Sequence, residues 1–106
     1  FMYLFTWQSP VWDGKYKSLH CMELPFVFDN IKRGKNMTGG GAAAQTLADK
    51  VSSASINFAK NVDPNHTGLP TWPAYNDTNT ATMHLDNTCE VKPQLDKELF
   101  ELVGNN

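Results

Sequence analysis

Cysteine is scarce here: the 106 residues hold two, Cys21 and Cys89, too few for a disulfide scaffold. Two free thiols in a reducing compartment are the simpler reading, and they favour a cytoplasmic setting. Long apolar runs are also missing, since no stretch reaches the roughly 18 residues that span a bilayer. The first residues carry no charged region ahead of an apolar run, so no signal peptide and no membrane partner are expected. Basic charge is in slight deficit, with nine Lys and Arg against eleven Asp and Glu. Lys32, Arg33 and Lys35 form the one basic cluster. Nucleic acid is therefore not an expected partner, because phosphate binding needs a clustered basic excess. No Gly-Lys-Ser/Thr follows Thr38-Gly-Gly-Gly41 and no Gly-x-Gly-x-x-Gly is present, which argues against a phosphate cradle. Three sequons, at Asn36, Asn65 and Asn76, carry little weight in a chain rich in Asn and Thr.

What is present suits one domain at most, with 41% hydrophobic and 19% charged residues. Phe1 to Trp7 is aromatic and branched without polar alternation, the pattern of a strand buried on both faces. Ser9-Pro10 ends it and Asp13-Gly14 marks a turn. Leu19 to Phe28 reads as a loop carrying His20, followed by the short apolar element Pro25 to Phe28. Ile31 to Gly41 is polar and glycine-rich and reads as a mobile surface loop.

Ala42 to Lys60 is the strongest helix, because Leu47, Val51, Ala54 and Phe58 recur on one face. Asp63-Pro64-Asn65 stops it. Leu69 to Tyr75 should be extended, with Trp72 as an anchor. Ala81 to Asp86 and Cys89 to Lys92 read as a strand pair. A closing helix is expected over Gln94 to Val103, with Leu95, Leu99 and Leu102 on one side and Gly104 as its stop.

The histidines carry most of the chemical potential. His66 lies in an Asn/Pro/Gly-rich loop and should face solvent. His84 sits in a short strand, where a surface or packing role is the default. His20 follows a strand, has Glu23 nearby and is enclosed by apolar residues, a setting that suits general acid–base work. A metal is disfavoured: His20 and Glu23 share a spacing of three, but Cys21, Cys89, His66 and His84 complete no ligand pattern. No cofactor is implied. A catalytic histidine needs a nucleophile and an orienting carboxylate. None of Ser9, Ser18, Ser52, Ser53 and Ser55 lies in a Gly-x-Ser-x-Gly elbow.

MYLFTW, HCMELPFVF, TLADKVSSASINFAKNVDPN, LPTWPAY and ATMHLDNTCEV, in this order, resemble the C-terminal segment of type B carboxylesterases. That is the α/β-hydrolase branch which includes para-nitrobenzyl esterases and cholinesterases. The resemblance implies an α/β fold, and 1–106 as part of a hydrolase domain: buried strand, histidine loop, long helix, short strand pair and C-terminal helix. It also implies that His20 is the triad histidine, base for the serine and then acid for the leaving alcohol. Glu23 matches a supporting glutamate and is not the triad acid, because these hydrolases run in the order Ser, Asp/Glu, His. The implied activity is hydrolysis of a small carboxylic ester through an acyl-enzyme. Serine, acid and oxyanion loop would all lie upstream of Phe1, and Gly39 to Gly41 are misplaced for the last. The isolated chain should then be inactive and should self-associate through uncovered apolar surface.

There are two departures from the family pattern. Ser55 stands where an aromatic residue is usual, which leaves a packing gap, and Asn61-Val62-Asp63 replaces a more glycine-like helix exit. Two other readings exist beside the esterase: a non-catalytic, esterase-like adhesion or scaffold protein, and a self-contained small α+β domain.

Overall fold

The computed structural model describes residues 1–104. Its frame is a three-stranded sheet crossed by one long helix. β1 (Tyr3–Phe5) pairs in parallel with β2 (Thr82–Leu85), and β2 pairs antiparallel with β3 (Glu90–Lys92), giving the order β1-β2-β3. Parallel neighbours need a crossover connection. Here it contains the one-turn helices α1 (Leu24–Val27) and α2 (Lys35–Thr38) and then α3 (Ala42–Asn61). α4 (Lys97–Val103) follows the strand pair.

α3 forms where periodicity places it, and Ala44, Leu47, Ala48, Val51 and Ala54 are buried. Phe58 continues the stripe but emerges half-exposed, edge-on to the Phe1 ring with centroids 6.3 Å apart. The helix ends at Val62, whose backbone is left-handed (φ 59°) and whose amide bonds the Phe58 carbonyl at 2.8 Å. A glycine would take that conformation without strain, so the non-glycine exit has a local cost.

The core joins α3 to α1 and the sheet. Phe26 is fully buried, with its ring centroid 4.9 Å from those of both Phe5 and Trp7. Met22, Ile31, Leu47 and Met83 complete the densest part. Trp72 is buried as an anchor, with its indole N–H donating to the Met2 carbonyl at 3.1 Å. Asn65 holds the same residue by both backbone groups: its Nδ2 donates to the Trp72 carbonyl (2.8 Å) and its Oδ1 accepts the Trp72 amide (2.6 Å).

Three expectations need correction. β1 is not buried on both faces: Tyr3 and Leu4 are 47% and 42% exposed. Among the described residues it has one neighbouring strand, β2. The stretch from Ile31 to Gly41 is not a loose loop either. It contains α2, and the buried Thr38 hydroxyl lies 3.1 Å from the Ile31 carbonyl and 3.2 Å from that of Gly34. Gly39 closes the turn with φ 78°, and the Met37 carbonyl accepts the Ser9 hydroxyl. α4 begins at Lys97 rather than Gln94, because Gln94 and Asp96 adopt left-handed backbone (φ 50° and 55°). Its leucines do not reach the core, Leu99 and Leu102 being 56% and 76% exposed.

His84 lies on β2, opposite Leu4 on one side and Glu90 on the other. Its Nε2 is buried without a hydrogen-bond partner among the described residues. Burial lowers its pKa and Lys92 adds to the effect, with Glu90 and Asp86 acting the other way. A neutral packing role is what this setting supports.

Two measurements test the fold. Phe26→Ala should cost roughly 3–5 kcal/mol in urea unfolding, whereas Leu99→Ala on exposed α4 should stay within about 0.5 kcal/mol. Equal effects would contradict this placement of the core. For His84, the lowered folded pKa means that the unfolded chain takes up the proton first. The contribution is fully present above pH 6.5, its unperturbed value, and is lost as pH falls through the folded value. His84→Gln should flatten the acid limb of the stability–pH curve, and a limb as steep as the parent's would exclude the effect.

Candidate functional site

His20 is delivered by two anchored stretches. After β1, the Thr6 amide bonds the Leu85 carbonyl (3.0 Å), its hydroxyl donates to Asp86 Oδ2 (2.8 Å), and Trp7 is buried. The chain then makes an excursion closed by the Ser9 amide on the Lys17 carbonyl at 3.1 Å. Inside it, Trp12, Asp13 and Gly14 run left-handed in succession (φ 54°, 56° and 74°). Ser18 returns to the sheet, and its hydroxyl donates to the Phe5 carbonyl at 3.0 Å. On the far side Met22 is buried, with its amide on the Leu19 carbonyl (3.1 Å). His20 stands midway between Ser18 and Met22, exposed, beside a left-handed Cys21 (φ 66°). No side-chain hydrogen bond reaches its ring among the described residues.

Glu23 occupies the N-cap position of α1 and is partly buried. It lines a cavity of about 280 Å³ whose other walls are mostly apolar, among them Val27, Val51, Phe58 and Trp72. Ser55 lines the same cavity, where the sequence led us to expect a gap. His20 does not line it. One turn of chain thus carries both residues, with His20 exposed and Glu23 among the residues that line the cavity. No sequence signal marked the cavity as a whole, because its walls come from five separate segments.

Four of the five serine hydroxyls are committed elsewhere. Ser9 donates to the Met37 carbonyl, Ser18 to Phe5, Ser52 to Asp49 (3.5 Å) and Ser55 to Val51 (2.9 Å). None bonds a histidine among the described residues, so no serine–histidine pair forms within them. No group of three His, Cys, Asp or Glu could hold a metal ion among those residues. Among the described residues no helix is long and apolar enough to cross a membrane.

His66 corrects an expectation. It is half-buried rather than solvent-facing. Its Nε2 lies 2.9 Å from the Lys50 carbonyl, and its Nδ1 accepts the Gly68 amide at 3.0 Å. An accepting Nδ1 places the ring proton on Nε2, which then donates to Lys50. A side chain at Gly68 would come within 2.7 Å of the His66 ring. This histidine clasps a loop to α3. Cys89 is buried, with its thiol on the Asp86 carbonyl (3.3 Å), and both cysteines are free.

Against known proteins, the model of the carboxylesterase family matches residues 1–103. The chain is 35% identical over 109 residues to para-nitrobenzyl esterase of Bacillus subtilis (strain 168), covering 97% of this chain and 22% of that one. It is 35% identical over 77 residues to phenmedipham hydrolase of Pseudarthrobacter oxydans, covering 69% and 16%. An esterase from Clostridium hathewayi, described as hydrolysing aliphatic aromatic polyesters, superposes with a TM-score of 0.83 at 31% identity. That match covers 97% of this chain and 20% of the other. The chain therefore spans about a fifth of the length of these relatives.

Proposed function

The chain belongs to the carboxylesterase family, whose structural neighbours here share the α/β-hydrolase fold, and on that premise we propose that it is the histidine-bearing part of a serine carboxylesterase domain. His20 is the triad base that deprotonates the serine hydroxyl as it attacks the ester carbonyl, and then the acid that protonates the leaving alcohol. The observation that carries this reading is its placement: it stands exposed beyond the C-terminal end of a parallel strand, where open α/β sheets bind ligands. It is fixed there by Ser18 on one side and Met22 on the other.

Glu23 acts as a positioning residue on the turn that carries His20. Its carboxylate reaches the reaction through the histidine's surroundings and does not replace the triad acid. The nucleophile, the orienting acid and the oxyanion donors come from outside this segment. The substrate class is a small carboxylic ester, and the 106-residue chain by itself should not turn it over.

The decisive experiment is fluorophosphonate labelling of the native gene product in its source cells. A labelled species several times heavier than 11.9 kDa is expected. An unlabelled product of about that mass would overturn the reading and favour a binding or scaffold role instead. In the labelled enzyme, His20→Ala should lower kcat/KM by roughly 10⁴-fold or more. A loss below tenfold would remove His20 from the triad. Alone, the 106-residue chain should self-associate in sedimentation experiments at micromolar concentration, because β1 leaves an open, apolar edge. A stable monomer would contradict this.

A further inference from the structure

The cavity that Glu23 lines, between β1, α1 and α3, is walled largely by rings. Phe1, Tyr3, Phe58 and Trp72 all line it. They already meet one another edge-on: Phe1 against Phe58 and Trp72, with centroids 6.3 and 6.0 Å apart, and Tyr3 against Trp72 at 6.5 Å. Trp72 is buried, whereas the other three stay half-exposed. Aromatic rings take up further rings in the same edge-on or offset geometry. The walls therefore favour a planar aromatic guest over an aliphatic one.

Ser55 makes the room. It lines the cavity from α3, and its hydroxyl turns back along the helix to donate to the Val51 carbonyl at 2.9 Å. The short side chain leaves the space open and has no second proton to offer a guest. An apolar cavity of about 150 Å³ takes up benzene. At about 280 Å³ this one has room for a fused second ring.

Glu23 sets the polarity of the guest. It is the only lining residue with a charged side chain, and no hydrogen bond or ion pair engages its carboxylate among the described residues. A carboxylate only accepts hydrogen bonds, so the matching guest carries an N–H donor. The bond is charge-assisted and stronger than a neutral one. A neutral N–H also leaves water for apolar walls at lower cost than an ammonium ion does.

We propose that this cavity binds a neutral, planar, bicyclic aromatic with one ring N–H, of the size of indole. The carbocyclic ring takes the space that Ser55 leaves, and the N–H donates to Glu23. The site owes its volume to Ser55, a departure of this chain from its family, so it goes beyond ester hydrolysis and needs no assumption about His20.

The test is ligand-observed NMR titration of the native gene product with indole, and with benzothiophene, which has the same shape and no donor. Indole should bind with a dissociation constant below about 1 mM. Ser55→Trp, which fills the cavity from α3, should weaken it at least about tenfold, and Ser55→Ala should leave it within about twofold. In Glu23→Leu the ratio of indole to benzothiophene affinity should fall at least about tenfold, a comparison in which the difference in apolar transfer between the two ligands cancels. Absence of indole binding, including by a side chain of the native product already seated in the cavity, would overturn the proposal. So would binding indifferent to Ser55→Trp, or a ratio unmoved in Glu23→Leu. Should Ser55→Trp not fold, the ratio decides alone. Ester turnover, and its loss in His20→Ala, judge the catalytic reading separately.

Discussion

The parallel pairing of β1 with β2 is the contact on which the other elements depend. It joins segments far apart in sequence, as the Thr6 hydroxyl on Asp86 shows across 80 positions. Closing so long a loop costs chain entropy that the strand ladder alone, three residue pairs long, does not offset. The balance comes from what the crossover packs between the two strands. α3 lays Leu47, Val51 and Ala54 inward, and Phe26 meets Phe5 and Trp7 at the point where β1 ends. Trp72 then ties the return path to the Met2 carbonyl, so the indole and the Met83 amide share one acceptor at the start of the strand.

The histidine loop inherits its shape from that packing and not from local preference. Trp12, Asp13 and Cys21 are non-glycine residues in left-handed backbone, a conformation that costs roughly 1–2 kcal/mol for each. Such strain persists only where the surroundings over-determine the chain. Here the determinants are visible: Trp7 buried before the excursion, Ser9 on Lys17 across its neck, Ser18 on Phe5, and Met22 buried after it. Each bond is modest alone. Together they leave the His20 backbone little freedom, while its ring stays open to solvent.

How much of this was legible in the sequence depends on whether the information is periodic. α3 was, because burial on one face of a helix repeats every three or four residues. The strand pair was legible as two short runs, Ala81 to Asp86 and Cys89 to Lys92, joined near Asn87. The run from Ile31 to Gly41 was not, because what orders it is one buried hydroxyl, Thr38, bonding carbonyls within its own segment. The His66 clasp was equally hidden, since its partner at Lys50 belongs to another element. β1 misled for a different reason. Its aromatic run has the pattern of a strand covered on both faces, but among the described residues it has one neighbouring strand, β2, and Tyr3 and Leu4 stay exposed. His20 and Glu23 were legible as neighbours, whereas the division between them, His20 exposed and Glu23 lining the cavity, needed the geometry of the turn into α1.

That division bears on how a histidine can be useful when its partners come from elsewhere. General base catalysis depends on holding the imidazole within a few tenths of an ångström of a productive position. If the position were set by groups arriving with the substrate or the serine, docking would have to order the loop as well as complete the site. In this chain the restraints on the loop are internal: the hydrogen bonds that fix the backbone around His20 end on β1, on the excursion itself, on the turn into α1, on the end of β2 or on α2. The ordering entropy is therefore met by folding of this segment. On the proposed reading, an arriving nucleophile would have only to meet a histidine already in place.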